Sequence, residues 1–106
     1  MDSRTKIGAF PAGATVVRGI FDPMLAAHAR ALAELARPLV VQVVDCERPL
    51  LPLEARQLLA AALECVDGVI GPEVRVEGPQ VLDWTAEHRA LQQEFIRHVH
   101  KRSGDA

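Results

Sequence analysis

The run LVVQVV at residues 39–44 is the feature that most constrains the fold of this chain. All but one of its residues are apolar, which is typical of a strand covered by other elements on both faces. Helix-like segments flank it, and shorter apolar runs lie beyond them. This alternation predicts strand–helix–strand–helix–strand units, which form parallel sheets with right-handed crossovers.

Three shorter runs are interpreted as further strands. ATVVRGIF at residues 14–21 is rich in β-branched residues, and VIG at residues 69–71 follows an Asp-Gly turn. VRVEG at residues 74–78 alternates apolar with charged residues, as a short edge strand does. We therefore predict an α/β fold with a short, mostly parallel sheet of three or four strands.

Three helices are predicted, the last of them at the C-terminal end of the chain. Asp22 is predicted to cap the first, with Pro23 in its first turn, and Asp83 or Thr85 to cap the last. Apolar residues recur at helical spacing in all three segments. The expected bounds are residues 22–36, 52–66 and 84–102, within one domain of residues 1–106 whose ends, 1–12 and 103–106, are expected to fray.

Composition excludes several classes of function. The net charge is −2, the chain has no basic run, and aromatic residues make up 4%, so binding to nucleic acid is disfavoured. There is no CxxC pattern, and Cys46 and Cys65 are interpreted as small buried thiols rather than zinc ligands or a disulfide. No signal-like or membrane-spanning apolar stretch is present, which favours a cytoplasmic protein without a membrane partner.

The segment GIFDPMLAAH at residues 19–28 joins the first strand to the first helix, where proteins commonly hold a phosphate. It resembles the first motif of the cytidylyltransferase-like nucleotidyltransferases, roughly G-x-F-D-x-x-[HT]-x-G-H. Four of its residues match in spacing: Gly19, Phe21, Asp22 and His28.

A second segment, RPLLPLEAR at residues 48–56, resembles the R-P-x-N-P-x-x-x-R loop of the bacterial sugar-phosphate cytidylyl- and adenylyltransferases. The V-D pair at Val66 and Asp67 is also similar to that family, so the resemblance covers about residues 14–70. Two motifs in the right order make it fairly specific. It implies a three-layer, Rossmann-like fold of the HIGH superfamily type.

The resemblance also implies a chemistry, in which a phosphorylated substrate attacks the α-phosphorus of CTP or ATP, with Mg²⁺ as the cofactor of an active member. The protein positions the reactants and stabilises negative charge with imidazoles and helix N-terminal amides. His28 is the implied catalytic residue. The implied residues for nucleotide or phosphate binding are Gly19, Ile20, Phe21, Asp22, His28, Asp45 and Arg48.

The chain departs from the family pattern at positions that carry the chemistry. Leu25 stands where the family has His or Thr, Ala27 stands where it has Gly, and Leu51 replaces the Asn of the proline loop. The later basic S-[ST]-T-x-x-R motif is missing from the sequence. Because loss of one preorganised donor lowers the rate by about 10²–10³, we predict a degenerate, inactive member that keeps the capacity to bind a nucleotide or phosphate metabolite.

Other interpretations remain open at this level. An active transferase with a rewired site would use His28, Asp45 and Arg48, and a homodimeric interaction module would need no ligand. Each candidate side chain also has a structural interpretation. Asp22 would be a helix cap, His28 a half-buried core residue, Arg48 and Arg56 surface charges, His88 and Trp84 packing residues of the last helix, and His98 and His100 solvated residues.

Overall fold

The computed structural model describes residues 3–91 and 93–94 of the chain. A 3-10 helix at Ser3–Lys6 precedes four strands and three α-helices. In chain order these are β1 (Thr15–Gly19), α1 (Ala26–Ala33), β2 (Leu39–Val43), α2 (Leu53–Ala61), β3 (Gly68–Ile70), β4 (Val81–Asp83) and α3, described at residues 85–91 and 93–94. The chain therefore has the predicted α/β fold with a C-terminal helix.

The four strands form one sheet in which every pairing is parallel, in the order β3-β2-β1-β4. The chain builds outward from β1 through β2 to β3 and then returns to place β4 on the other side of β1. This is a Rossmann-like order, and sheets of this kind bind ligands at the carboxyl ends of the strands where the order reverses. The carboxyl ends of β1 and β4 mark that point here.

Helices α1 and α2 pack on one face of the sheet. Buried Val17 and Val41 of the central strands meet Leu32 of α1 and Ala60 of α2, which form the larger hydrophobic cluster. The nearly continuous apolar run in β2 follows from this arrangement, because all five of its residues are buried.

The opposite face carries a smaller cluster of Val16, Val40 and Ile70, over which Val76 packs. Val76 belongs to the connection between β3 and β4, so residues 71–77 form the third layer. Gln42 donates from Nε2 to the carbonyl oxygens of Gly71 (3.0 Å) and Val74 (2.7 Å). This segment is held to the sheet through side chains rather than through strand pairing.

The fourth strand predicted at residues 74–78 is therefore wrong, and the fourth strand is Val81–Asp83. Arg18 of β1 donates from Nε to Gln42 Oε1 at 2.9 Å and from Nη2 to the Val76 carbonyl at 2.8 Å. The alternation in VRVEG thus reflects Val74 and Val76 packing on the sheet, while their carbonyls accept from Gln42 and Arg18.

The predicted start of the first helix is also wrong, because α1 begins at Ala26 and its N-cap residue is Leu25. Asp22 lies before the helix, and its carboxylate accepts the backbone N–H groups of Leu50 (2.6 Å) and Leu51 (2.8 Å). These two long-range hydrogen bonds hold the Asp22 side chain away from the helix that it was predicted to cap. The second helix follows Pro52, as predicted.

The N-terminal segment lies against the α2 side of the sheet. Lys6 donates from Nζ to the Leu63 carbonyl at 2.9 Å, and the Gly8 N–H donates to the Val69 carbonyl at 2.7 Å. Cys46 and Cys65 are not joined in a disulfide, and both are half-buried. Within the described residues no helix is long and apolar enough to cross a membrane. The predicted helix beyond residue 94, with His98 and His100, lies outside the described residues.

Candidate functional site

The turn between β1 and α1 forms the centre of the candidate site. Its residue Phe21 has φ 48°, a left-handed conformation that side chains rarely adopt and that is found at functional sites. Its ring is fully buried and meets the ring of His28 edge-on, with 5.6 Å between centroids. The fold thus holds the turn in an unusual conformation.

His88 of α3 reaches across to this turn. Its Nδ1 accepts the Ile20 N–H at 3.0 Å and lies 3.4 Å from the Phe21 nitrogen, while the side chain as a whole is 5% exposed. The two amides therefore converge on one acceptor. The sequence indicated only a packing role for His88, because the contact joins residues 68 positions apart and leaves no local pattern.

Gly19 makes the approach of His88 possible. A Cβ atom at this position would lie 2.5 Å from His88 Cε1 and 2.7 Å from Phe21 Cε2, closer than real Cβ atoms come to other atoms. The glycine of the motif is needed here to make room for an imidazole of the same chain.

His28 lies on α1 next to His88, with 4.5 Å between the ring centroids. Its Nδ1 accepts the Leu25 N–H at 3.2 Å, so the proton of the neutral ring is on Nε2. Nε2 is buried, and no partner for it exists among the described residues. The site therefore contains a buried N–H donor without an acceptor.

Both imidazoles are neutral near physiological pH. Burial lowers the pKa of His28 below its usual value. Burial, and then the neighbouring His28, lowers the pKa of His88 to about 4, although the Asp83 carboxylate acts in the opposite direction. The pair thus presents lone pairs and N–H groups rather than positive charge.

A cleft of about 140 Å³ adjoins the two imidazoles. Its lining comes from α1, α3 and the residue before α3: His28, Ala31, Trp84, Glu87, His88 and Leu91. Trp84 also packs against the larger hydrophobic cluster. Sites for whole drug-sized ligands have roughly 300–1,000 Å³, so this cleft is smaller than such a site.

Arg56 fixes the loops around the site. It is 1% exposed, so the expectation of a surface charge is wrong. Its Nη1 donates to the carbonyls of Ile20 (3.1 Å) and Val44 (2.8 Å), and its Nε donates to the Leu51 carbonyl (3.0 Å). The guanidinium thus ties the ends of β1 and β2 to the loop that precedes α2.

The remaining predicted site residues occupy that loop or the neighbouring turn. Asp45 and Arg48 are exposed in the loop of residues 44–52, which Asp22 and Arg56 attach to the turn after β1. Leu25 and Ala27, at the two altered positions of the first motif, are exposed as well. The structure therefore gathers Gly19, Ile20, Phe21 and His28 around His88, while Asp22 is engaged in holding the loop.

Asp67, which belongs to the V-D pair that also resembles the family, lies at the opposite end of the sheet. Its carboxylate accepts from Arg37 at 2.6 Å and from the Leu39 N–H at 2.8 Å, where β2 begins. The Arg37 guanidinium holds the pKa of Asp67 below its usual value. These contacts connect the start of β2 to the residue before β3, so Asp67 has a structural role.

No family model matches this chain, and no curated protein matches it. Among residues 3–91 and 93–94 there is no group of three or more His, Cys, Asp or Glu side chains placed to hold a metal ion.

Acidification is expected to destabilise the protein through His88. The pKa of His88 is about 4 in the folded state and 6.5 in the unfolded state. The contribution of His88 to the free energy of unfolding is therefore complete above pH 6.5 and is lost as the pH falls toward 4. The full loss is about 3 kcal/mol. Urea unfolding across this pH range checks it, with His88→Gln as a control that cannot titrate. If the free energy of unfolding of both proteins depended equally on pH, the low pKa of His88 would be contradicted.

Proposed function

We propose that this protein binds the phosphate group of a nucleotide or other phosphorylated small molecule at the carboxyl ends of β1 and β4, and that it does not transfer nucleotidyl groups. The unpartnered Nε2–H of His28 carries the proposal. A buried donor without an acceptor is unfavourable by about 1–3 kcal/mol. A phosphate oxygen in the adjoining cleft would supply the missing acceptor.

The surrounding backbone supports an anionic ligand. The Leu25 N–H at the N-cap donates to His28, but the first amides of α1 itself lack the carbonyl partner that amides in a helix interior have, and the helix dipole favours negative charge there. The amides of Ile20 and Phe21 converge on one point, as in backbone sites that hold phosphate oxygens. All of these groups lie where the strand order of the sheet reverses, the usual ligand position in this architecture.

The size of the cleft narrows the ligand class. A volume of about 140 Å³ is suited to a phosphate, or to part of a diphosphate, while a base or sugar would remain outside. The cleft would therefore recognise the phosphate group, whichever phosphorylated molecule carries it. The sequence resemblance to cytidylyltransferase-like enzymes supports a nucleotide as one source of that phosphate.

The proposed absence of transfer follows from three positions. Leu25, at the N-cap of α1, is an aliphatic side chain that is 43% exposed and has no donor or acceptor. His88 and His28 are both neutral, so neither supplies the positive charge that stabilises a phosphoryl transition state. A cytoplasmic location, where phosphorylated metabolites are abundant, is part of the proposal.

Thermal unfolding with a ligand panel tests the proposal. CTP, ATP, CDP, ADP and pyrophosphate are each added with and without magnesium. A ligand at 100 times its dissociation constant stabilises by about 2.7 kcal/mol, which raises the midpoint by roughly 10 °C in a domain of this size. We expect such a shift for at least one ligand, its loss in His28→Ala, and its retention in Arg30→Ala, an exposed change on the same helix.

Two results would contradict this function. No shift with any ligand would refute phosphate binding. Pyrophosphate release from a nucleoside triphosphate that disappears in His28→Ala would instead establish the rewired transferase. Homodimer formation stays a prediction, and light scattering across a dilution series tests it independently.

A further inference from the structure

We infer that His88 is an internal occupant of the anion site, and that a phosphate ligand takes the Ile20 and Phe21 amides by displacing the His88 imidazole. The inference rests on the proposed function, because it concerns the regulation of the same site. It makes His88 the residue that sets the affinity for phosphate.

The geometry of the contact supports this role. One nitrogen lone pair faces two consecutive backbone amides, at 3.0 Å from Ile20 N and 3.4 Å from Phe21 N. An oxyanion placed on such a pair of amides would occupy the position of Nδ1. Ligand and imidazole therefore compete for the same donors.

The turn packs closely around the His88 imidazole. Gly19 leaves space for the His88 ring, and the Phe21 ring packs against it with 4.5 Å between centroids. The exchange needs no change in the strands of the sheet.

Displacement of His88 reduces the apparent affinity of the ligand. When only a fraction of molecules has the amides free, the apparent dissociation constant rises in inverse proportion to that fraction. Removing the imidazole should remove this penalty, so a variant without it should bind phosphate more tightly than the natural chain. If His88 instead bound the ligand directly, removal of its imidazole would weaken phosphate binding.

Acidification should release the amides as well, because a protonated Nδ1 donates and cannot accept an N–H. Among the described residues, the titratable groups that face His88 are His28 on α1, Asp83 at the end of β4 and Glu87 on its own helix. Sulfate is a suitable probe, since it keeps its double charge as the pH falls from about 6.5 to about 4, where the folded-state pKa of His88 lies and its ring becomes half protonated. Sulfate affinity should rise over this interval.

Backbone amide NMR with inorganic pyrophosphate tests the inference. We expect His88→Ala to bind pyrophosphate roughly tenfold more tightly than the natural chain, with shifts at the Ile20 and Phe21 amides. His88→Gln, which keeps an acceptor, should bind like the natural chain. Arg89→Ala, an exposed change on the same helix, should also leave the affinity unchanged.

The outcomes separate the inference from the proposed function. If the natural chain binds pyrophosphate and a folded His88→Ala binds it equally or less tightly, the inference fails and the proposed function stands. If neither protein binds, both fail. If His88→Ala does not fold, the sulfate titration of the natural chain decides: a higher affinity at the lower pH supports the inference, and an unchanged or lower affinity overturns it.

Discussion

Replacement of Arg56 by alanine is expected to destabilise the protein by about 3–5 kcal/mol, the largest effect of any single change considered. The guanidinium of Arg56, which is 1% exposed, satisfies the carbonyls of Ile20, Val44 and Leu51. Its removal leaves these acceptors unpaired and a cavity between two strand ends. Because small domains are stable by only about 5–15 kcal/mol, the variant should lose a large share of its free energy of unfolding.

Urea unfolding measures this effect, with two controls. Arg56→Lys keeps the charge but cannot present the planar fork of donors, so it should recover only part of the stability. Arg30→Ala removes an exposed arginine and should change stability by less than about 0.5 kcal/mol. A loss at Arg56 as small as that at Arg30 would show that the three carbonyls find other partners.

Replacement of Gly19 by alanine is expected to cost about 2–3 kcal/mol through overpacking. The added methyl would lie 2.5 Å from His88 Cε1 and 2.7 Å from Phe21 Cε2. Backbone strain does not enter, because Gly19 has an ordinary strand conformation within β1. The cost therefore reflects how tightly both the His88 imidazole and the Phe21 ring pack on the end of β1.

A double-mutant cycle isolates the contribution of His88. Gly19→Ala should cost clearly less in a His88→Ala background, because one of its two clashes is then gone while the clash with Phe21 remains. Chemical denaturation of the four proteins gives the coupling energy. Additive effects of the two substitutions would mean that His88 does not pack on Gly19 in solution.

The sheet was largely predictable from the sequence, and its last strand was not. LVVQVV and the runs on either side carry the local signature of buried strands, and the parallel order follows from the helices between them. Residues 81–83, VLD, are half-buried to exposed and only three long, so they carry no strand signal. VRVEG carries such a signal, but its alternation arises from packing on a sheet face.

The candidate site was predictable only where it depends on local spacing. His28 was identified because it stands nine residues after Gly19 in a strand–turn–helix motif. Asp22 was misassigned because Asp-Pro before an apolar helix is a strong capping signal, yet two amides of a distant loop compete successfully for its carboxylate. His88 accepts backbone N–H groups that lie 67 and 68 positions away, and no local pattern encodes such a contact. Arg56 stands in the second motif, but its spacing does not reveal that it donates to the carbonyls of Ile20 and Val44.

The most direct test of the central claim is a ¹⁵N NMR titration of the natural chain with inorganic pyrophosphate, observing the ring nitrogens of His28. The structure predicts a neutral ring protonated at Nε2, whose resonance moves in a saturable way as the ligand accepts this proton. Amides at the start of α1 should move with the same dissociation constant. A His28 ring that stays unchanged while the protein remains folded would contradict phosphate binding at this site.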